Sequence, residues 1–171
     1  MDALILLLLA AALVRPPSAP IVDCTKRIEG GRPIGASLPG DVEIGPIRFT
    51  GLRFAARATR RELSPPTGKR WRVWKAAPVV HAGHAVTLVV SKADRPHLRI
   101  GWAGGDGWAV TFRPCAPGTP AFSYRGRVGE RTAFAGGFLV DGPGCRQLDV
   151  WVQGRAQPLR RTISFGKGRC R

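Results

Sequence analysis

The spacing of glycine and proline restricts the fold more than any other feature, because these residues divide the chain into short apolar runs. The sequence holds 22 Gly and 15 Pro among 171 residues. Between them, apolar and polar residues alternate with the period of two that is typical of strands with one buried face. In one such run, Leu148, Val150 and Val152 alternate with Asp149, Trp151 and Gln153. About eight runs of this kind and no long helical pattern predict an all-β, antiparallel β-sandwich, with a small β-barrel as the alternative.

Turn signals between neighbouring runs predict how the strands connect. Residues 134–152 are expected to form a β-hairpin, because Asp-Gly-Pro-Gly at 141–144 separates two apolar runs. Two further hairpins are predicted, one around residues 81–84 and one around residues 104–107. Only the segment 52–61 fits a helix as well as it fits a strand.

The N-terminus indicates export. Residues 3–14 form an unbroken apolar run that ends at Arg15 and two prolines. This run is shorter than the ~20 residues needed to span a bilayer as a helix, and it matches the apolar core of a secretory signal. We therefore expect an export signal at 1–19, a single β-sandwich domain at 20–171 and a secreted or extracytoplasmic location, with no transmembrane span in the mature chain. The alternative is an uncleaved anchor or a buried helix.

Four cysteines in an exported chain predict two disulfides, for which three pairings are possible. Cys24 and Cys170 lie at the two ends of the predicted domain, and domain ends are often close in space. Cys115 ends one predicted strand and Cys145 begins another. We therefore predict the pairs Cys24–Cys170 and Cys115–Cys145. No Cys-x-x-Cys spacing indicates a zinc or redox site.

Several segments of the C-terminal half resemble small exported β-sandwich proteins of GC-rich bacteria. They are Thr-Phe-Arg-Pro-Cys at 111–115, Gly-Gly-Phe at 136–138, Gly-Pro-Gly-Cys at 142–145, Ser-Phe-Gly at 164–166, and Cys170. The resemblance covers about the last third of the chain. It implies export and a disulfide framework, but that group has no established activity to transfer.

The formal net charge is +16, and arginine supplies most of it, with 22 Arg against 5 Lys. Guanidinium groups match carboxylate and phosphate groups in a bidentate way, which favours recognition of polyanions. A GC-rich coding sequence, which enriches Arg, Ala, Gly and Pro, would give the same composition. In either case we expect some non-specific attraction to anionic surfaces.

Aromatic and cationic residues on outward strand positions predict a ligand face. Alternation places Trp71, Trp102 and Trp108 on inward faces and Trp74 and Trp151 on outward ones. Outward indoles stack on sugars or bases, and neighbouring guanidinium groups hold anionic groups. The predicted ligand face consists of Trp74, Trp151, Arg72, Arg99 and Arg113. The alternative is that the two outward indoles belong to a second buried face or to cation–π pairs.

The remaining motifs give weaker functional hypotheses. His81, His84 and His97 are all the histidines of the chain and are candidate zinc or copper ligands, but no carboxylate lies nearby to orient them. No serine lies in a Gly-x-Ser-x-Gly frame, and no cofactor motif is found. We therefore expect a non-enzymatic binding or structural module at the cell envelope, attracted to anionic polymer and without a specific nucleic-acid partner. A metal-binding exported domain is the alternative.

The disulfide hypothesis makes a direct prediction. Thiol titration of the denatured, unreduced exported protein should detect essentially no free thiol, because all four cysteines are expected to be paired. Two or more titratable thiols would contradict the framework and restore metal-binding or catalytic roles for the cysteines.

Overall fold

A computed structural model describes residues 15–28, 37–102, 107–122 and 125–170. The apolar run at 3–14 and most of the predicted turn at 104–107 lie outside these residues.

The described helices are short: α1 (Arg60–Leu63) and three 3-10 helices, Cys24–Lys26, Leu52–Arg57 and Lys92–Asp94. No helix among the described residues is long and apolar enough to cross a membrane. The strands are β1 (Ile21–Val22), β2 (Arg27–Ile28), β3 (Val42–Ile44), β4 (Ile47–Phe49), β5 (Arg72–Lys75), β6 (Pro78–His81), β7 (Val86–Val90), β8 (Leu98–Gly101), β9 (Ala109–Phe112), β10 (Arg131–Phe134), β11 (Gly137–Val140), β12 (Gly144–Val152) and β13 (Leu159–Phe165).

The strands form three open sheets, which confirms the predicted all-β, sandwich-like fold. The first sheet has the order β1-β9-β7-β12-β13, the second β2-β10-β6-β4-β3, and the third β5-β11-β8. Neighbours are antiparallel except for the short parallel pair of β1 and β9. The second and third sheets share one layer, because β5 continues into β6 and β10 into β11 across single bends. The Ala76 N–H donates to the Gly136 carbonyl at 3.1 Å and joins the two bends. No strand order of the described chain closes on itself, so the sheets do not form a barrel.

Side chains from all three sheets meet in an aromatic cluster. The Phe138 ring of β11 lies 5.7 Å from Phe49 of the second sheet, 6.1 Å from Phe165 of the first, and 5.0 Å from Trp102 (ring centroids). All four side chains are buried. Burial of these large rings is the main apolar contribution that holds the layers together. The inward positions predicted from alternation are confirmed for Leu148, Val150, Val152 and Trp102.

Glycine at the bend between β10 and β11 makes room for this cluster. Gly136 has a φ of 152°, a conformation that L side chains rarely adopt. A Cβ atom at Gly136 would overlap the indole of Trp102, and one at Gly137 would overlap the carbonyl of Trp74. The bend therefore allows the backbone to approach the indole of Trp102 and the backbone carbonyl of Trp74 closely.

The predicted hairpins are wrong in their connections. β11 lies in the third sheet and β12 in the first, so the chain crosses between layers at residues 141–143. β6 and β7 likewise lie in different sheets. β8 and β9 also lie in different sheets, and in the described residues an antiparallel bridge between Ile100 and Gly107 joins β8 to the segment before β9. The error has a physical cause. Two consecutive strands bury the same alternating residues whether they pair as a hairpin in one sheet or lie in different layers. Among the described residues, consecutive strands pair as hairpins at β3–β4 and at β12–β13.

The segment 52–61, for which helix and strand were both open, forms the 3-10 helix Leu52–Arg57 and the start of α1. The Thr59 hydroxyl and the Glu62 side chain form a capping box at the beginning of α1. The Thr59 N–H and hydroxyl donate to the Glu62 carboxylate at 2.7 and 2.8 Å. Both hydrogen bonds favour the ionised carboxylate and lower the pKa of Glu62, the backbone bond more strongly.

All four cysteines form disulfides, but the predicted pairing is wrong. The bonds are Cys24–Cys115 and Cys145–Cys170. The parallel pairing of β1 with β9 places Val22 opposite Phe112, so the chain carries Cys24 alongside Cys115. Cys145 pairs across the sheet with Ser164, and the chain then turns back and brings Cys170 to it. The prediction failed because a two-residue parallel strand leaves almost no sequence signal.

Truncation of a central ring tests the role of the aromatic cluster. Phe138→Ala should lower the free energy of unfolding by roughly 3–5 kcal/mol, because it removes contacts to rings from both layers and leaves a cavity. Phe54→Ala is the matched control, since Phe54 is 60% exposed, and should cost less than about 1 kcal/mol. Urea denaturation of both variants measures this difference. Equal costs would contradict a central role for the cluster.

Candidate functional site

The outer face of the third sheet presents apolar and cationic side chains together. The strand register places Val73 of β5, Leu139 of β11 and Arg99 of β8 side by side. Their neighbours along the strands, such as Phe138 and Ile100, face the core, so these three face outward. Val73 is 58% exposed, which is unusual for a large apolar side chain in a strand. This face is therefore the first candidate for a binding surface.

Arginine and tryptophan side chains alternate on this face. The Arg99 guanidinium carbon lies 5.2 Å from the Trp71 ring centroid and 5.9 Å from the Trp108 ring centroid. Arg70 also lies over Trp71, at 5.2 Å, and Arg95 lies over Trp108, at 5.0 Å. The result is a row in the order Arg70, Trp71, Arg99, Trp108, Arg95. We call these five residues the Arg–Trp face.

Stacking of the guanidinium groups on the indole rings holds the charged groups of this face in position before a ligand binds. A cation over an indole contributes about 0.5–1 kcal/mol at an exposed site and about 2 kcal/mol when desolvated. Stacking occupies the flat side of a guanidinium group, whereas its N–H donors lie in the plane and point from its edge. The Nε atom of Arg95 is shielded from solvent and has no hydrogen-bond partner among the described residues. The contact of Arg95 with the Trp108 ring is therefore not accompanied by a hydrogen bond at Nε.

The acidic residues that border this face have cationic partners of their own. Asp94 accepts hydrogen bonds from the Ser91 hydroxyl at 2.9 Å and the Gln147 N–H at 2.8 Å. Arg146 lies within ion-pair distance of both Asp94 and Asp141, at 3.9 and 3.8 Å. The Nδ1 atom of His97 lies 2.7 Å from the Asp141 carboxylate. These contacts supply Asp94 and Asp141 with partners that do not belong to the Arg–Trp face.

The five residues of the predicted ligand face are not brought together. Arg99 lies on the Arg–Trp face. Arg72 is exposed on β5 but alternates with Val73 and leaves the sheet on the other side. Trp74 faces inward, packs against the core, and donates from Nε1 to the Gly51 carbonyl at 3.2 Å. Trp151 of β12 and Arg113, which follows β9, belong to the first sheet.

The sequence prediction inverted the orientation of two other indoles. Trp102 faces inward as expected and is 3% exposed, but Trp108 is 46% exposed and Trp71 lies on the outer face. Trp71 and Val73 resemble a buried pair more than Arg72 and Trp74 do, so hydrophobicity favoured the wrong face of β5. The sequence did contain a signal for the outward orientation of Trp71 and Trp108. Several arginines lie around Trp71 and before Trp108.

The fold separates His97 from His81 and His84. His81 and His84 line a cleft of about 530 Å³ together with Glu130, and the Nε2 atom of His81 accepts a hydrogen bond from Arg131 at 3.3 Å. His97 lies next to β8 and pairs with Asp141. The described residues include all three histidines, and among them no group of three or more His, Cys, Asp or Glu side chains is suited to hold a metal ion. The hypothesised metal site therefore has no support from the geometry.

Comparison with protein-family models, curated proteins and solved structures gives no match. The resemblance to small exported proteins stays a prediction.

Proposed function

We propose that the protein is an exported, non-enzymatic binding module that holds anionic polymer at the cell envelope through the Arg–Trp face. The observation that carries the proposal is the alternation of three guanidinium groups with two indoles on one outer sheet face. The GC-rich coding bias would explain the number of arginines in the chain. It does not explain their regular stacking on tryptophan.

The chemistry of the face favours an extended anionic glycopolymer. In-plane N–H donors of arginine suit carboxylate and phosphate oxygens, and indole rings suit the apolar faces of sugars. The five residues of the Arg–Trp face form a row, and a row of cations and rings suits an extended ligand better than a single small one. A long ligand contacts several stacked groups at once and thereby compensates for the weakness of each contact.

Two features support an extracytoplasmic site of action. Both disulfides are of the kind that persists in oxidising compartments. The apolar run at 3–14 has the length of an export signal rather than that of a membrane span. Both features agree with a protein that meets wall or envelope polymer after export.

Retention on isolated, immobilised anionic cell-wall glycopolymer tests the proposal. Retention should fall steeply as salt rises from 0.1 to 1 M, because the Debye length shortens from about 10 Å to about 3 Å. Arg99→Ala should weaken binding several-fold, since it removes the central cation and its contacts to both indoles. Trp108→Ala should have a similar effect without any loss of charge.

Two variants away from the face serve as matched controls. Arg113→Ala removes the same charge from the first sheet, and Phe54→Ala removes an exposed ring that is stacked with Arg53 at 4.7 Å. Both should retain nearly full binding. Equal weakening by Arg99→Ala and Arg113→Ala would show that net charge alone is responsible. The absence of retention at any salt concentration would overturn the proposed function.

A further inference from the structure

A groove on the outer face of the first sheet lies apart from the Arg–Trp face. Its volume is about 300 Å³, and it lies where β12 turns towards β13. Trp151 forms part of its lining, and Thr87, which is paired with Trp151 across the sheet, forms another part. The hydroxyl oxygens of Thr87 and Thr111 lie 2.8 Å apart and hydrogen-bond to each other. The groove therefore joins an indole to a polar row of the sheet.

The indole of Trp151 is not a component of the core. It alternates along β12 with Val150 and Val152, which are buried on the opposite face. Trp151 itself is only partly buried and borders the open groove. Core packing therefore does not explain a large aromatic residue at this position, whereas contact with a ligand does.

The turn after β12 holds two polar side chains at the rim of the groove. The Gln153 N–H donates to the Ala85 carbonyl at 2.9 Å, and the Arg155 N–H donates to the Val152 carbonyl at 3.0 Å. Gly154, between them, has a φ of 85°, which the turn requires. These backbone contacts fix the positions from which the Gln153 amide and the Arg155 guanidinium extend. Both side chains are exposed and line the groove.

We propose that this groove binds a single pyranose unit that carries a carboxylate, such as a uronic acid residue. The indole of Trp151 supplies a platform for the apolar face of the ring, and Gln153 hydrogen-bonds to ring hydroxyls. Arg155 pairs with the carboxylate in a bidentate way. Among the described residues that line the groove, none is acidic, so the carboxylate meets no repulsion there. The lining also includes Pro16, which belongs to the predicted export signal at 1–19, so we expect the groove to be wider on that side in the exported chain.

Calorimetric titration of the exported protein with glucuronate and with glucose tests this site. Glucuronate should bind more tightly than glucose because only glucuronate pairs with Arg155. Trp151→Ala should weaken binding of both sugars by about tenfold or more, in the range found when a stacking aromatic is removed. Arg155→Gln, at an exposed turn position, should keep the fold and abolish the preference for glucuronate.

The two proposed sites give separable results. Arg99→Ala should leave glucuronate binding unchanged, so failure of the polymer proposal would not affect this one. The thermal unfolding midpoint of Trp151→Ala, compared with that of the wild type, shows whether its loss of binding reflects loss of fold. The proposal is overturned if glucuronate does not bind saturably, if glucose binds equally well, or if Arg155→Gln keeps the preference.

Discussion

The contact between the Trp102 indole and the Phe138 ring fixes much of the rest of this structure. It joins the third sheet to the packed core, and it depends on Gly136, where any side chain would overlap the indole. Because Phe138 must face inward, its neighbour Leu139 and the paired Arg99 must face outward. A shift of one residue in the pairing would reverse every side chain of these strands. The buried contact therefore determines which side chains of β8 and β11 face outward.

The choice of arginine has a physical reason on the Arg–Trp face. A guanidinium group is planar and weakly hydrated, so it stacks on an indole and still presents its N–H donors at the edge. A lysine ammonium is more strongly hydrated and has no flat surface to stack. Trp71 and Trp108 consequently do more than add apolar area, since they hold Arg70, Arg95 and Arg99 in a row that does not have to be ordered by the ligand.

Strand positions could be predicted from the sequence, but the way in which strands connect could not. Alternation identified Leu148 and Val150 as inward, because a strand with one buried face has apolar residues at every second position. The same pattern fits a hairpin and a connection between layers. Residues 141–143 were therefore predicted as a hairpin turn, whereas they connect strands of two layers. The Cys24–Cys115 bond depends on a two-residue parallel pair that no local pattern marks. The candidate site was predicted only at Arg99, because its tryptophans combine high hydrophobicity with an outward position.

The indole N–H signals of the five tryptophans in a ¹H–¹⁵N spectrum provide the most direct test of the central claim, that the Arg–Trp face is the polymer-binding surface. On addition of soluble anionic cell-wall glycopolymer, the signals of Trp71 and Trp108 should shift in a saturable way. The signals of Trp74, which donates to the Gly51 carbonyl, and of Trp102, which is buried, should stay in place. Unchanged Trp71 and Trp108 signals in the presence of bound polymer would contradict the account.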